Sequence, residues 1–312
     1  MMRAIAGAVV LLAVASSAAG AQQSPPPHSS IRVAMPPVDA ASQAYYAQAK
    51  GFFKKVGLNV DILTVNGGAQ VVAAVTGGAA DIGQSNVSSL ASAHERGIPV
   101  VAIAGANEFI AKQHQSALVV APNAPFKKAG DLAGKTIGVA GLKNITEIGF
   151  DKWMDSNGGD WTSVKVVEVP FSTMAEAVAS GRIDAAMMTE PELSESLRTK
   201  RVKVFAAPLE SIGREFVVGT WFSTTAYVKA HPEIIRQYAS AMAMAAEWAN
   251  HHQNESARIL ESSTKIPVAA DAARVVFATR LDTRAMQPVI DASAKYGALK
   301  NAFPATDLLA PR

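Results

Sequence analysis

The side chains able to hold a guest fall at one kind of place along this chain, the loops that lead from strands into helices. Ser42 and Gln43 open a first helix, Gly68 to Gln70 a second, and Ser85 to Ser88 a third, with Asn86 among them. Later, Gly141 to Thr146 carries Asn144 and Thr146, and Ser172-Thr173 opens another helix. Serine, threonine and asparagine are the preferred N-caps, so any one of these is accounted for by capping alone. Facing one cleft, several helix starts together offer free N–H donors, which suit an anionic or strongly polar group. Asp39 and Glu190 are acidic, Lys143 is the only cation in these loops, and no arginine falls there. A carboxylate in a cleft wall favours a guest with an amine, amidine or hydroxyl donor, and an unpaired buried one is costly. Both acids also fit a solvated surface role. The candidate ligand-binding set is therefore Asp39, Ser42, Gly68, Gln70, Ser85, Asn86, Asn144, Thr146, Thr173 and Glu190. Phe109, Phe171, Trp221 and Phe222 are placed to stack on an aromatic guest or to pack in the core.

Patterns that would argue for catalysis or metal binding fail on inspection. The six histidines, His28, His94, His114, His231, His251 and His252, contain no H-E-x-x-H, and His251 and His252 as neighbours on a helix point in different directions. Gly130 to Thr136 imitates a phosphate-cradling loop, but it has three residues between its glycines instead of four and leads into a strand. Gly83-Gln84-Ser85-Asn86-Val87 has valine where a nucleophile elbow needs its second glycine. Cysteine is absent, so no disulfide, thiolate nucleophile or thiolate metal site exists. Neither a cofactor nor a metal is expected, and the site reads as one for binding.

The elements that must position these loops form a unit that occurs twice. Ile31 to Ala34 reads as a strand, the segment from Ser42 as a helix ending near Gly57, Val60 to Val65 as a strand, Ala69 to Thr76 as a helix, and Asp81 to Gly83 as a third strand. Residues 137 to 190 repeat the series: strand Ile137 to Ala140, helix Glu147 to Ser156, strand Val164 to Val169, helix Thr173 to Ser180, strand Asp184 to Met188. Ala74 to Asp81 and Ala177 to Asp184 share the pattern A-V-x-x-G-x-x-D at the same point of both series. Such alternation calls for an α/β fold of two Rossmann-like lobes with mixed, mainly parallel sheets and a cleft between them. Extended runs at Val100 to Ala106 and Ala117 to Ala121, and at Val204 to Ala207 and Phe216 to Thr220, suggest two crossings between lobes. Lobe 1 is expected at residues 31–115 plus 221–312 and lobe 2 at 116–220. After Pro232 helices are expected at Ile234 to Asn250, Ser256 to Ser263, Ala269 to Leu281 and Met286 to Tyr296.

A length of 312 residues allows one large or two ordinary domains, and the formal charge of +3 without a cationic cluster argues against a nucleic-acid surface. Arg3, the apolar run Ile5 to Val14 and the small residues Ala19-Gly20-Ala21 read as a secretory signal over residues 1–21. Its apolar stretch is near ten residues, short of the roughly twenty a membrane span needs. Residues 22–30, with Pro25, Pro26 and Pro27 in a row, read as an extended tether. A periplasmic location is expected.

Four motifs in order resemble one family. Lys50-Gly51-Phe52-Phe53 to Gly57-Leu58-Asn59-Val60, then Gly78 to Gly83, then Asp131-Leu132-Ala133-Gly134-Lys135-Thr136-Ile137-Gly138-Val139, then Gly181-Arg182-Ile183-Asp184-Ala185, are similar to the series of solute-binding proteins for ABC importers. The most similar branch includes the sulfonate, taurine, nitrate and thiamine-pyrimidine-precursor binders, and the resemblance covers roughly residues 31 to 225. It implies the type II periplasmic binding protein fold with a two-stranded hinge, a small-molecule solute taken up by hinge closure, a membrane permease with its ATPase as partner, and a monomer without enzymatic activity. A sulfonate-like solute, organic acid or zwitterion is expected first and a substituted pyrimidine or aromatic compound next. The alternatives are an exported enzyme on the same scaffold and a sensing subunit for a membrane kinase. An enzyme related to this fold makes the thiamine pyrimidine, but its pattern includes a cysteine-rich segment that this chain lacks.

Overall fold

The computed structural model describes residues 29–310 apart from 112, 114 and 271. The expected signal segment lies outside the described residues, as do His28 and His114. Ser29 and Ser30, placed in the tether from sequence, already form the start of β1 (Ser29–Met35).

The first half of the chain continues with α1 (Gln43–Ala49), α2 (Phe52–Lys55), β2 (Leu58–Thr64), α3 (Gly68–Thr76), β3 (Ile82–Asn86), α4 (Val87–Glu95) and β4 (Val100–Ile110). The chain then crosses to β5 (Ser116–Val120), β6 (Thr136–Val139), α5 (Ile145–Ser156), β7 (Lys165–Glu168), α6 (Phe171–Ala179), β8 (Ala185–Thr189), α7 (Glu192–Arg198) and β9 (Lys203–Ala206). It returns through β10 (Glu215–Thr224) to α8 (Thr225–Ala230), α9 (Pro232–His251), α10 (Gln253–Thr264), β11 (Val276–Phe277) and α11 (Thr283–Lys295). Two mixed sheets result, ordered β11-β4-β10-β3-β1-β2 and β7-β6-β8-β5-β9. The pairs β1–β2, β1–β3, β6–β7 and β6–β8 are parallel; strands that enter or leave a crossing pair antiparallel.

Side chains alternate along β1 because a strand has a period of two. Ile31, Val33 and Met35 face a core built with α1, α2 and α9, through Tyr46, Phe53, Tyr238 and Met242. Ala34 faces the other core, with Val71 and Val72 of α3, Leu90 of α4, and Met286 and Val289 of α11. That second core continues into the other sheet through Leu118 and Val120 of β5 and Phe150 and Met154 of α5. The opposite face of β5, Ala117 and Val119, packs on Met174 and Val178 of α6. Full burial of a side chain of this size stabilises by roughly 1.5–3 kcal/mol.

The sequence repeat has a physical purpose at its aspartates. Asp81 N–H donates to the Arg32 carbonyl while Arg32 N–H donates to Asp81 Oδ2, each at 2.8 Å. In the second half Asp184 N–H donates to the Thr136 carbonyl and Thr136 N–H to Asp184 Oδ2, again at 2.8 Å. Each aspartate thus fastens the start of β3 or β8 to β1 or β6. The preceding Gly78 and Gly181 adopt φ of 76° and 72°, a left-handed turn that favours glycine.

Two expectations are corrected. Every pair along β10 lies in the first sheet, beginning with Glu215 opposite Ile110, so a division at 220/221 would cut this strand in two. The return crossing accordingly falls at residues 207–214. Ala269 to Leu281 is not a helix; it holds the edge strand β11, paired to β4. The alanines there have the right spacing, but the Asn250 carboxamide holds Phe277 by both its N–H and its carbonyl, at 2.9 Å each, and fixes the backbone as strand. Among the described residues no helix is long and apolar enough to cross a membrane.

Candidate functional site

Between the two sheets lies a cleft of about 780 Å³, counting the space open to solvent. Its floor comes from strand ends and crossings: Gln84 of β3, Asn107 and Phe109 of β4, Gln115 and Ser116 at β5, and Thr189 of β8. Its walls are helix starts, with Gly67 and Gly68 before and in α3, Asn144 to Thr146 at α5, and Phe171 at α6. None of the described residues lining it carries a formal charge. Five carboxamides do the polar work: Gln84, Asn86, Asn107, Gln115 and Asn144.

These amides are not equally available. Asn86 Oδ1 accepts from Ser89 N–H at 2.8 Å and caps α4, and Asn144 Oδ1 accepts from Thr146 N–H at 2.9 Å and caps α5. With their oxygens engaged, both present Nδ2 as a donor. Gln115 Nε2 donates to Gln113 Oε1 at 2.8 Å. By contrast Asn107 Oδ1 and Ser116 Oγ are buried without a partner, and so are Ser85 Oγ and Thr220 Oγ1, which sit opposite one another on β3 and β10. A buried polar atom left unpaired costs about 1–3 kcal/mol, and of these four residues Asn107 and Ser116 line the cleft.

Gly219 makes room for the floor. A Cβ there would lie 2.5 Å from Gln84 Nε2 and 2.6 Å from Asn107 Oδ1, and the strand shifts register at this residue. Gly219→Ala is therefore expected to push both amides aside. Their ends are flexible, so stability should change by less than about 1.5 kcal/mol while guest affinity falls tenfold or more. Calorimetric titration alongside urea unfolding checks this; undiminished affinity would remove Gln84 and Asn107 from the contact set.

Of the residues singled out from sequence, Gly68, Asn86, Asn144 and Thr146 line the cleft together. Ser85 lies just beneath, its Oγ 2.4 Å from where a Gly68 Cβ would be. The others are placed elsewhere. Asp39 is buried in a two-pronged ion pair: Arg274 Nη2 reaches Oδ1 at 2.8 Å and Nε reaches Oδ2 at 2.9 Å. Ser42 Oγ, Tyr46 OH and Val275 N–H also donate to that carboxylate, which leaves nothing for a guest. Burial and then the nearby Asp39 hold the Tyr46 hydroxyl protonated well above its usual range. Ser42 additionally donates to the Asp39 carbonyl at 2.6 Å. Gln70 and Thr173 are exposed on α3 and α6, Thr173 Oγ1 donating to the Pro170 carbonyl at 3.1 Å. Glu190 accepts from Ser194 Oγ at 2.6 Å and Ser194 N–H at 3.1 Å, and it lines a separate cavity beyond Ser116. Burial pushes its carboxyl up to about 7, against the Ser194 hydrogen bonds. Lys143 turns away and donates from Nζ to the Gly297 carbonyl at 2.8 Å.

Of the four aromatics, Trp221 and Phe222 are core. Trp221 Nε1–H donates to Gln43 Oε1 at 2.7 Å, and Phe222 is fully buried. Phe109, stacked on Phe216 with centroids 5.0 Å apart, and Phe171 line the cleft. His251 and His252 each contact the backbone carbonyl four residues earlier, and no metal-holding cluster occurs among the described residues. The sequence reading missed Gln84, Asn107 and Gln115. A signal existed for Asn107, a lone amide in the apolar run of β4.

The family model described as NMT1/THI5 like matches residues 40–256. A curated relative, 4-amino-5-hydroxymethyl-2-methylpyrimidine phosphate synthase THI13 of Saccharomyces cerevisiae, is 25% identical over 216 residues, 65% of this chain and 62% of that protein. The match thus spans less than two thirds of that relative. Among solved structures, the alkanesulfonate-binding protein SsuA from Xanthomonas axonopodis pv. citri, bound to MOPS, superposes with a TM-score of 0.76 at 15% identity, covering 91% of this chain and 98% of that one. The periplasmic nitrate-binding protein NrtA from Synechocystis PCC 6803 gives 0.67 at 14% identity, over 77% and 68%. The fold is the two-lobe fold of the periplasmic binding proteins.

Proposed function

We propose that this chain, which belongs to the NMT1/THI5 like family, is the solute-capturing component of an ABC importer, working in the periplasm as a monomer. Two lobes close on a small polar organic solute, and the closed form is delivered to a membrane permease and its ATPase. A dissociation constant near micromolar, about −8 kcal/mol, is ordinary for such a site. The observation that carries the reading is the cleft itself: uncharged walls, five carboxamides, two phenyl rings, and the buried Asn107 Oδ1 and Ser116 Oγ without partners.

That lining favours a flat solute with several hydrogen-bonding edges, such as a nitrogen heterocycle, ahead of a strong anion. The thiamine-pyrimidine name of the yeast relative supports the same class. A sulfonate is the second reading. It is supported by SsuA and by the start of α3, where Gly67 brings no side-chain cap and leaves the first-turn N–H groups to a guest. A synthase activity like that named for the relative is a third, and turnover of a heterocycle on incubation would favour it.

Thermal shifts against neutral heterocycles, basic heterocycles, sulfonates and amino acids discriminate these readings, since a ligand at a hundredfold excess over its dissociation constant adds roughly 2.7 kcal/mol. A heterocycle is expected to raise the melting temperature most. Asn107→Ala should then weaken that ligand by about 1–3 kcal/mol, read by calorimetry. Stabilisation by sulfonates alone would overturn the first reading in favour of the second.

A further inference from the structure

The cleft continues into an alcove of about 360 Å³, again counting the space open to solvent, and the two share Pro36, Val38, Gly67, Ala140 and Phe171. The alcove's remaining wall brings Asn66 from the first lobe and Glu192, the first residue of α7, from the second. Glu192 is the one charged side chain among the described residues lining either space. The side chain is half-buried, and its Oε2 is shut off from solvent without a partner among the described residues. The two acids that sequence had suggested for a guest are both satisfied, Asp39 by Arg274 and Glu190 by Ser194; this third one is not.

We infer that Glu192 selects solutes carrying a basic nitrogen, a primary amine, an amidine or a protonated ring nitrogen, held in the alcove while the rest of the solute lies in the uncharged cleft. The inference rests on the reading of the cleft as a solute site and names the chemical class that site takes. The physical reason is compensation. A carboxyl in an alcove lined by Pro36, Val38 and Phe171 loses hydration on one oxygen and gains from the protein only its own backbone N–H, with no counter-charge, so ionisation in the closed form is favoured when a guest supplies positive charge. Burial pushes this carboxyl up to about 7, against the pull of its own backbone N–H, and no cation offsets it. A guest cation reverses that cost, and a charge-assisted hydrogen bond to Oε2 also fixes which end of the solute enters the alcove. Phe171 lines both spaces, so a flat ring in the cleft can lie against it while a substituent reaches Glu192.

Matched probes test this: benzylamine with benzyl alcohol, and benzamidine with benzamide, titrated by ligand-observed NMR at pH 7.5 into the wild-type chain, E192Q and Asn107→Ala. The wild type is expected to bind the basic member of each pair at least tenfold more tightly, and E192Q to bring the ratio below threefold. Without any probe, E192Q should melt at an equal or higher temperature than wild type at pH 8, because an unpaired carboxylate has been removed. A wild-type ratio near one, or a ratio that survives in E192Q, overturns the assignment. If the ratio is near one while neutral probes bind and are lost in Asn107→Ala, the solute site stands and only the role of Glu192 falls. If no probe binds saturably, both fall.

Discussion

Arg274→Ala is expected to cost the fold about 3–5 kcal/mol, the range for breaking a buried pair by removing one partner. The guanidinium and the Asp39 carboxylate are nearly shut off from solvent, with side-chain exposures of 7% and 1%. Besides its two bonds to Asp39, Arg274 donates from Nη2 to Tyr46 OH at 2.7 Å and from Nη1 to the Gln253 carbonyl at 3.1 Å. It therefore ties the segment leading into β11 to the loop after β1 and to α1 and α10. Truncation leaves the Asp39 carboxyl in an interior where Ser42, Tyr46 and the Val275 N–H remain but its counter-charge is gone. Replacing both members should be far less harmful, because an uncharged pair of similar volume removes the desolvation penalty together with the attraction. Asp39→Asn with Arg274→Met is accordingly expected to recover most of the loss. Urea unfolding with an unchanged slope reads both numbers. A single-variant loss under about 1 kcal/mol would show that the pair is exchanging with solvent, and would undo the account of Asp39 given above.

This pair also marks where sequence reasoning stopped. Asp39 and Arg274 are 235 residues apart, and nothing local to either announces the other. The expected residues that do line the cleft are those whose structural role is local. Gly68, Asn86, Asn144 and Thr146 sit where strands turn into helices, and a cap is a contact between neighbours two or three residues apart. The repeated A-V-x-x-G-x-x-D was legible for a similar reason, since it encodes a helix end, a left-handed glycine and a clamp for the next strand within eight residues. Gln84 and Asn107 were invisible because they lie in the middle of strands, where a polar residue is read as facing water; only the sheet order, which puts β10 and Gly219 between them, turns both toward the cleft. Glu190 and Glu192 are two residues apart at the start of one helix, so composition cannot say which faces the guest. The turn into α7 decides it, directing Glu190 to Ser194 and Glu192 to the alcove.

Asp151→Asn is expected to stabilise the protein by about 2–3 kcal/mol at pH 8 and by under about 1 kcal/mol at pH 5. Asp151 lies on α5, which packs against α11 and the turn at Pro208–Ser211, and its side chain is buried with Oδ1 unpartnered. Burial first, and the negative charge of Glu147 second, push its carboxyl from 3.8 up to about 8. The native state therefore keeps a proton that the unfolded chain releases above about pH 4. Wherever the native state binds more protons than the unfolded one, stability falls as pH rises, by about 1.4 kcal/mol per unit for one group. The contribution is fully present below pH 4, declines between about 4 and 8, and is gone above 8. The whole interval sets a ceiling of about 6 kcal/mol, and relaxation and water entry around the ionised group bring the expected figure down to the 2–3 kcal/mol stated. Glu190 and Glu192 are raised in the same sense, so the wild-type curve also contains their slopes, but these cancel when variant is subtracted from wild type. Urea unfolding of both proteins at pH 5 and pH 8 supplies the difference. A gap that does not widen with pH would mean that Asp151 is ionised in the native state at neutral pH, with a counter-charge or water reaching it between α5 and its neighbours.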